Sequence, residues 1–386
     1  MIVRPFTWLA LSFFGYFIAY GVAVPFLPVW LKHQSYGAEL IGLVLACSYF
    51  FRFLGGILIA NQIKSPQQLI PMLRTLAWLS IGLSLLMIFT ANYFWLLFIV
   101  IALYSMVNSA GIPLTDTLAN TWQKQISLDY GKARLIGSVA FTLGVVIFGN
   151  LIGWLGDQYI VWILTALFLL YSLLQMATPS LAPANQQGTQ QGSSSSYLQL
   201  LREPTTLRLL IAACLIQGSH AGYYAYSVLY WTSQGISVGY TSLLWGLAVT
   251  AEILIFFFSR RLFKNWNIAH LFYLSAIACV IRWLVYGNVT DLWLIALLQT
   301  FHSLTFAVMH YAMVNYIATQ PQQNMAKLQS LYNVLSNCVG IGIMTALSGV
   351  LYQHYSATVL FTTMAICAAT AIFIIPRHIK AVIYQH

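Results

Sequence analysis

Charged side chains are nearly absent from this sequence: they make up 6% of its 386 residues, and only 7 residues are Asp or Glu. A soluble globular protein carries roughly 25% charged residues, so this chain has too little charge to cover a water-exposed surface. Hydrophobic residues make up 60% of the chain, and its mean hydropathy is +0.78. The apolar runs are about 20 residues long, which predicts helices that cross a bilayer. The alternating polarity of outer-membrane strands is missing.

Cysteine is also scarce, and the five cysteines form no motif. Each lies inside an apolar run, and none has the spacing of a metal site. We therefore interpret them as small hydrophobic core residues, and we expect no metal, no cofactor and no redox role. The five are Cys47, Cys214, Cys279, Cys338 and Cys367.

The apolar runs predict an all-α membrane protein of twelve helices. A long polar connection, 179–205, contains the low-complexity stretch PSLAPANQQGTQQGSSSS and is typical of a flexible linker. It separates an N-terminal six-helix bundle, 1–178, from a C-terminal one, 206–386. The first run is too long for a cleaved leader, so we expect a retained helix. The predicted helices span 6–31, 38–60, 68–89, 93–119, 133–155, 158–178, 206–232, 238–262, 267–288, 291–317, 325–350 and 355–376.

Lysine and arginine are distributed unevenly between the two sides of these helices. If the N-terminus is cytoplasmic, twelve of them fall in cytoplasmic segments and only Lys32 falls in an outside loop. This bias follows the positive-inside rule, so we expect both termini and the linker in the cytoplasm. The formal net charge of +10 is then a topology signal, and we expect no nucleic-acid partner. The cytoplasmic cations are Arg4, Lys64, Lys124, Lys132, Arg202, Arg208, Arg260, Arg261, Lys264, Lys327, Arg377 and Lys380.

Two opposite charges are predicted at equal depth in neighbouring helices. Asp116 and Arg134 each lie about nine residues from the turn near Gln125, which places both roughly 13 Å into the membrane at 1.5 Å per residue. Charges at such depth usually face a cavity or a partner. Either the two form a direct ion pair, or Arg134 binds an anionic or polar substrate group while Asp116 competes for it.

A second set of polar groups is predicted in the C-terminal bundle. Arg282 and His302 flank the outside turn near Asp291, and Glu252 lies at a similar depth. A carboxylate and an imidazole are groups that gain and lose protons, as a proton-coupled carrier requires. The alternative is a purely structural network. Arg52 either snorkels toward the cytoplasm or lines the cavity, and we rank it below Arg134.

Aromatic and small residues add detail to the predicted helix five. Phe141 follows Arg134 by seven residues and so lies on the same helix face. A guanidinium below an aromatic ring suits a small molecule with a carboxylate and a ring, although plain packing of Phe141 is the alternative. Small residues typical of close helix packing occur at Gly137, Gly144, Gly149 and Gly153.

Several segments resemble the 3-phenylpropionate permeases of the major facilitator superfamily. The resemblance runs through nearly the whole chain, and it implies import of hydrophenyl carboxylates with protons across the bacterial inner membrane. Six plus six helices around a long middle loop is also the plan of that superfamily. The matching segments are WLALSFFGYFIAYGVAVPFLPVWL, PLTDTLANTWQKQISLDYGKARLIGSVAF, LIQGSHAGYYAYS and KLQSLYNVLS.

The lactose–proton symporters are a more distant likeness. This resemblance implies that Arg134 binds the substrate, that Asp116 is its carboxylate partner and that Phe141 stacks on the substrate. The pattern of that family in helix five is glycine, basic, any residue, arginine, two residues and glycine, which is matched by Gly131, Lys132, Arg134 and Gly137.

The same likeness extends to the second bundle, with departures. It implies that Glu252, Arg282 and His302 belong to the coupling machinery. However, the family carries its proton on a glutamate where this chain has Thr305, and its helix-eleven lysine falls on Asn337. We therefore do not expect this chain to use the same proton pathway as the lactose–proton symporters.

These observations together predict a secondary active transporter. The sequence contains no HExxH motif, nucleophile elbow or phosphate loop, so we do not expect an enzyme. We expect a monomeric proton symporter that is surrounded by lipid and imports 3-phenylpropionate or a related aromatic carboxylate. Alternatives are a proton-coupled importer of a neutral sugar or nucleoside, and an intramembrane enzyme. The predicted substrate-binding residues are Arg134, Phe141 and Asp116. The proton-coupling candidates are Glu252, His302, Arg282 and Asp116.

Overall fold

The computed structural model describes residues 1–184, 195–377 and 379. Two elements of the sequence analysis, linker residues 185–194 and Lys380, lie outside the described residues. The described chain is almost entirely helical, as predicted. Two short strands, β1 (Ile2–Val3) and β2 (Thr178–Pro179), pair in parallel.

Eleven helices in the described part of the chain are long and apolar enough to cross a membrane. The remaining predicted span, α7, is present in two pieces, Pro204–Gly218 and Ala221–Ser233. The eleven are α1 (Pro5–His33), α2 (Ala38–Ala60), α3 (Pro66–Thr90), α4 (Phe94–Ile126), α5 (Tyr130–Leu155), α6 (Asp157–Gln175), α8 (Val238–Leu262), α9 (Ile268–Tyr286), α10 (Leu292–Ala318), α11 (Gln323–His354) and α12 (Ala357–Ile374).

The interruption of α7 has a local cause. The Ser219 hydroxyl donates to the Ile216 carbonyl at 2.7 Å, and His220 Nδ1 lies 2.9 Å from the same oxygen. Side chains that bond to nearby carbonyls in this way compete with the helical hydrogen bonds. The His220 amide accordingly donates to Gln217 rather than to Ile216, and the helix breaks there.

Helix α4 continues further than the sequence predicted, to Ile126 rather than 119. Its last turns are amphipathic, because Leu118 and Trp122 are fully buried while the polar residues between them are not. The helix ends where Ser127 adopts the left-handed conformation at φ 52°. The following helix therefore starts earlier than predicted, at Tyr130 rather than 133.

The described chain divides into two compact units. Unit 1 holds the described residues up to 184 together with Ser227–Gly246, and unit 2 holds the other described residues. The division into bundles at 1–178 and 206–386 stays a prediction.

Helix α1 lies at the centre of unit 1. It contacts α5 and α6, while α3 packs on α4 and α6 and α2 packs on α4. Buried residues make up 72% of the apolar window of α1, compared with 17% for α2. Side chains of α1 are therefore held by protein on most sides, whereas most of the surface of α2 is not covered by its own unit.

The end of α6 is closed by side chains from α1 and α3. Arg74 donates to the carbonyls of Gln175 and Ala177 at 2.8 and 2.9 Å, and Trp8 Nε1 also donates to Ala177 at 2.9 Å. The last carbonyls of a helix have no partner within the helix, and an unpaired one is costly in an apolar setting. These donors supply the missing hydrogen bonds.

Unit 2 uses the same device at the end of α12. The first piece of α7 packs on α11 and α12, and α9 packs on α10 and α12. Arg208 of α7 donates to the carbonyls of Ile374 and Ile375 at 2.7 and 3.2 Å. A guanidinium group thus completes the hydrogen bonds at the end of α6 and at the end of α12.

Three helices contain a π-helical turn. These turns span Gly144–Phe148 in α5, Ser303–Ala307 in α10 and Leu335–Gly340 in α11. A π turn inserts one residue into the helical repeat and is frequent at functional sites. In α10 the turn directly follows His302, which belongs to the second polar cluster described below.

Close packing of α1 on α5 is set by glycines, as predicted for Gly144. A Cβ on Gly144 would lie 2.3 Å from the Ile18 carbonyl oxygen, and a Cβ on Gly21 would lie 2.4 Å from that of Phe141. Only hydrogen fits at such contacts, because the neighbouring atoms are backbone. The two glycines let the aromatic face of α1 approach α5.

We expect Gly144→Val to prevent stable folding, since the valine side chain would push α1 away from α5. Overpacking typically costs about 1–3 kcal/mol even where side chains can yield, and backbone yields less. The measurement is the melting temperature and the yield of monodisperse protein in detergent. Gly82→Val is the matched control, because a Cβ on exposed Gly82 meets nothing within 4 Å. Equal behaviour of both variants would contradict the packing role of Gly144.

Candidate functional site

The start of α5 is fixed by Asp129. Its carboxylate accepts a hydrogen bond from the Lys132 backbone amide at 3.0 Å and lies 3.1 Å from the Lys132 ammonium group. The hydrogen bond from this amide lowers the pKa of Asp129. Capping at this point places Tyr130 in the first turn of α5 and Arg134 one turn later.

Arg134 lies over aromatic rings of α1. Its guanidinium carbon is 4.4 Å from the ring centre of Phe17 and 5.6 Å from that of Phe13. A guanidinium over a ring face is attracted by the ring quadrupole. Both rings are buried, whereas Arg134 is half-buried. The charge is thus held on one side only.

Asp116 reaches the same place from α4. Its carboxylate accepts a hydrogen bond from the Tyr130 hydroxyl at 3.0 Å, and Tyr130 precedes Arg134 by one helical turn on the same face. The structure therefore brings Asp116 and Arg134 together, as their depths predicted. The two form no direct ion pair in the described part of the chain, because the Tyr130 hydroxyl is the partner of the carboxylate.

Phe141 lies further along the same aromatic face. Its ring centre is 6.0 Å from that of Tyr20, which in turn is 6.2 Å from that of Phe17. Arg134 therefore lies over the α1 rings and not over Phe141. We call the side chains of Phe13, Phe17 and Tyr20 the aromatic stripe. Phe141 extends this stripe from the α5 side.

A second polar cluster lies in unit 2 around Arg282 of α9. This guanidinium is fully buried and donates to His302 Nδ1, Gln299 Oε1 and Thr305 Oγ1 at 3.2–3.3 Å. Its carbon also lies 4.5 Å from the ring centre of Trp283 and 4.7 Å from that of Tyr223. Arg282 is consequently surrounded by neutral groups that hold it in place.

The hydrogen bond from Arg282 determines the protonation of His302. Arginine has no acceptor atom, so Nδ1 of His302 must be the acceptor and carries no proton. The proton of the neutral ring is then on Nε2. That nitrogen lies 3.6 Å from Glu252 Oε2, so the ring directs its N–H group toward the carboxylate.

Thr305 fills the position at which the sugar symporters have a glutamate. Its hydroxyl lies 2.9 Å from His220 Nε2 and also accepts from Arg282. His220 Nδ1 faces the Ile216 carbonyl at 2.9 Å, which makes Nδ1 the donor and Nε2 an acceptor for Thr305. The structure therefore replaces an ionisable side chain by a hydroxyl that joins two buried polar groups.

Several members of these clusters were not singled out from the sequence. The predicted start of helix five at 133 leaves Tyr130 in a loop. Its spacing of four from Arg134 is the signal that could have identified it as a neighbour of Arg134 on one helix face. The rings of the aromatic stripe lie in the first predicted helix, and the sequence assigns them no role. Gln299 precedes His302 by three residues, a spacing that places both on one helix face.

No group of three or more metal-binding side chains occurs in the described ranges. The intramembrane charges instead meet aromatic rings, hydroxyls, an amide and imidazoles. The arrangement suits binding of an organic ion and transfer of protons.

A family model described as the MFS_1 like family matches residues 6–363. The chain belongs to this family. It is therefore a multi-pass transporter of the major facilitator superfamily and not an enzyme. Solved structures agree on the fold: the nucleoside transporter NupG superposes with a TM-score of 0.78 at 14% identity, over 96% of this chain and 98% of that one. A bacterial homologue of the human lysosomal transporter Spinster gives 0.63 at 14%, over 95% and 91%.

Curated relatives of the transporter confirm the resemblance found in the sequence. The "Probable 3-phenylpropionic acid transporter" of Escherichia coli (strain K12) is 38% identical over 379 residues, covering 98% of this chain and 99% of the relative. The maltose permease of Geobacillus stearothermophilus is 22% identical over 371 residues, covering 95% and 92%.

We expect Thr305→Val to destabilise the transporter, because the change keeps the shape of the side chain but removes the partner of His220 Nε2 and one of the acceptors of Arg282. An unsatisfied buried polar group costs about 1–3 kcal/mol. Thr345→Val is the matched control, since the buried Thr345 hydroxyl has no hydrogen-bond partner to lose. The melting temperature in detergent should fall for Thr305→Val and hold or rise for Thr345→Val. The reverse order would contradict the bridging role of Thr305.

Proposed function

We propose that this transporter is a proton symporter that imports 3-phenylpropionate or a related aromatic carboxylate. The observation that carries the proposal is the position of Arg134, a half-buried guanidinium that rests on the rings of Phe17 and Phe13 without a direct ion pair. A carboxylate with an aromatic ring matches both features. The name of the 38% identical relative supports the same substrate class.

Comparison of the arginines favours Arg134 as the anion-binding group. Arg282 is fully buried and already donates three hydrogen bonds, so a substrate carboxylate would have to displace them. Arg134 is only half-buried, and within the described residues no carboxylate forms an ion pair with it. The planar guanidinium fork suits a carboxylate, which it binds through two parallel hydrogen bonds.

The aromatic stripe provides the surface for the substrate ring. Phe17, Tyr20 and Phe141 have ring centres about 6 Å apart, within the range of edge-to-face and offset pairs. In the proposed complex, the substrate carboxylate lies on Arg134 and its ring lies against Phe141 and Tyr20. A neutral sugar would gain less from this surface, because it would leave Arg134 uncompensated.

Proton coupling follows from competition for Arg134. The field of Arg134 helps to keep nearby Asp116 ionised. When a substrate carboxylate neutralises the guanidinium, Asp116 loses this support and takes up a proton. Glu252 beside His302 is the second coupling candidate. Neutral sites then permit the conformational change, because binding shifts the population between states.

The orientation and assembly belong to the same proposal. The positive-inside bias supports cytoplasmic termini and linker in a bacterial inner membrane, with six-helix bundles at 1–178 and 206–386. An arginine of the same unit completes the end of α6 and of α12. We propose that the carrier functions as a monomer in lipid.

The test is uptake of labelled 3-phenylpropionate into cells that express the carrier, with and without a protonophore. We expect accumulation that collapses when the proton gradient is removed. Asp116→Asn should abolish accumulation against the gradient, because the amide keeps the hydrogen bond from Tyr130 but cannot gain a proton. Asp291→Asn is the control, since that exposed carboxylate caps α10. Full accumulation by Asp116→Asn would remove Asp116 from the scheme.

A wild-type carrier that fails to take up 3-phenylpropionate would decide between the two substrate classes. If membrane-inserted carrier takes up no aromatic carboxylate but transports a labelled nucleoside or sugar, the substrate proposal is wrong and the neutral alternative replaces it. The family assignment would be unaffected.

Arg134→Lys should raise the KM for 3-phenylpropionate by roughly tenfold or more. Lysine keeps the charge but loses the planar fork and the stacking on Phe17, and tenfold corresponds to about 1.4 kcal/mol. Arg260→Lys near the end of α8 is the control for the same exchange at an exposed position. The measurement is the concentration dependence of initial uptake. An unchanged KM would show that Arg134 does not bind the carboxylate.

A further inference from the structure

A second guanidinium in unit 1 lies on the same aromatic stripe. Arg52, in the middle of α2, has its guanidinium carbon 5.4 Å from the ring centre of Tyr20 and 5.8 Å from that of Tyr49. The side chain is half-buried and directed at α1. The sequence leaves two alternatives for Arg52, snorkelling toward the cytoplasm or lining the cavity, and its contacts with the rings of Tyr20 and Tyr49 favour the second.

The charge of Arg52 has no carboxylate beside it. Among the described residues, Arg52 forms no ion pair, and its neighbours are phenols. One of these, Tyr16, already has its hydroxyl 3.0 Å from Asn108 Oδ1. Arginine stays protonated in proteins, so a full positive charge is compensated here by ring faces and phenol dipoles. Uncompensated charges in membrane helices are expensive and usually functional.

Charge balance in unit 1 leads to the same conclusion. Apart from Arg74, which is bound to the carbonyls at the end of α6, the arginines within the membrane helices of unit 1 are Arg52 and Arg134, and the carboxylate near them is that of Asp116. One positive charge is left over even when Asp116 is ionised. A bound monocarboxylate neutralises one arginine, and the other remains able to attract a second electron-rich group.

The geometry of the stripe relates the two arginines. Arg134 lies over Phe17 and Arg52 over Tyr20, and these two rings are neighbours with centres 6.2 Å apart. From Phe13 to Tyr20 the stripe extends about 10 Å at 1.5 Å per residue. A single ring with a short acidic side chain has comparable length. A substrate whose carboxylate lies on Arg134 would therefore direct the far edge of its ring toward Arg52.

We propose that Arg52, together with Tyr20, forms a second anion-binding position that accepts an acidic or hydrogen-bond-accepting substituent on the far edge of the substrate ring. The ligand class is an aryl carboxylate with a second such group, the strongest case being a dicarboxylate. This inference rests on the proposed function, because it takes Arg134 as the site of the first carboxylate. Arg52 would then determine which ring substituents the carrier selects.

The experiment is competition against uptake of labelled 3-phenylpropionate by two unlabelled analogues of similar size. One is 3-(4-carboxyphenyl)propionate, which carries the second anionic group, and the other is 3-(4-methylphenyl)propionate, which does not. In wild-type carrier we expect the dicarboxylate to compete at least as well as the methyl analogue. In Arg52→Gln its inhibition constant should rise roughly tenfold, while that of the methyl analogue changes little.

Uptake of the unsubstituted substrate serves as the folding control within each variant. Arg52→Lys should give an intermediate loss, because it keeps the charge without the fork, and Arg260→Gln should leave both constants unchanged. The inference is overturned if the dicarboxylate fails to compete in wild type. It is also overturned if Arg52→Gln affects both analogues equally or neither. Absence of any 3-phenylpropionate uptake in wild type would instead refute the proposed function itself.

Discussion

A full charge inside a bilayer must be compensated by the protein, and this constraint organises both polar clusters of the carrier. Each such charge costs roughly 3 kcal/mol on insertion scales, yet Arg52, Arg134 and Arg282 form no ion pair in the described part of the chain. Arg282 donates from its two terminal nitrogens to neutral acceptors, while its Nε has no partner among the described residues. Arg134 and Arg52 rest mainly on ring faces, which contribute about 0.5–2 kcal/mol each. The two arginines of unit 1 therefore have the most to gain from an arriving anion.

Aromatic compensation also explains why α1 is the central helix of its unit. A ring can attract a cation on its face and pack against apolar neighbours at its edge. The stripe thus serves the charge of Arg134 and the packing of α1 at the same time. Glycines at the contact with α5 make this possible, since Gly21 and Gly144 allow the backbones to approach. A substrate ring that enters the stripe would replace one aromatic contact by another and leave the packing intact.

The sequence predicted the helices well, because continuous apolar runs of the right length have few other structures available in a bilayer. It did not predict the break in α7 or the π turns. These features change the hydrogen-bond pattern while the composition stays apolar, so hydropathy carries no signal of them. The break depends on Ser219 and His220, whose side chains capture the Ile216 carbonyl. The sequence shows those residues but not their rotamers.

For the site, depth counting predicts Asp116 and Arg134 at the same level, and the structure places both beside Tyr130. It did not foresee that the Tyr130 hydroxyl would become the partner of Asp116. That contact depends on the start of α5, which the Asp129 cap moves three residues earlier than the apolar pattern suggested. The first turn of α5 therefore decides whether Asp116 pairs directly with Arg134 or accepts from Tyr130 and leaves Arg134 without an ion pair.

In the proposed symport mechanism, the neighbours of each ionisable side chain limit which groups can accept the coupling proton. Thr305 does not ionise, and His302 accepts from Arg282 on Nδ1, so a second proton on that ring would have to face a guanidinium. The carboxylates of Glu252 and Asp116 are left as the acceptors. Glu252 faces a neutral imidazole N–H, and its protonation does not depend directly on the charge that the substrate brings. Asp116 shares the field of Arg134, where the substrate carboxylate is proposed to bind. In the proposed mechanism, Asp116 therefore links proton uptake to substrate binding through one shared charge, and Glu252 is the second candidate for receiving the proton.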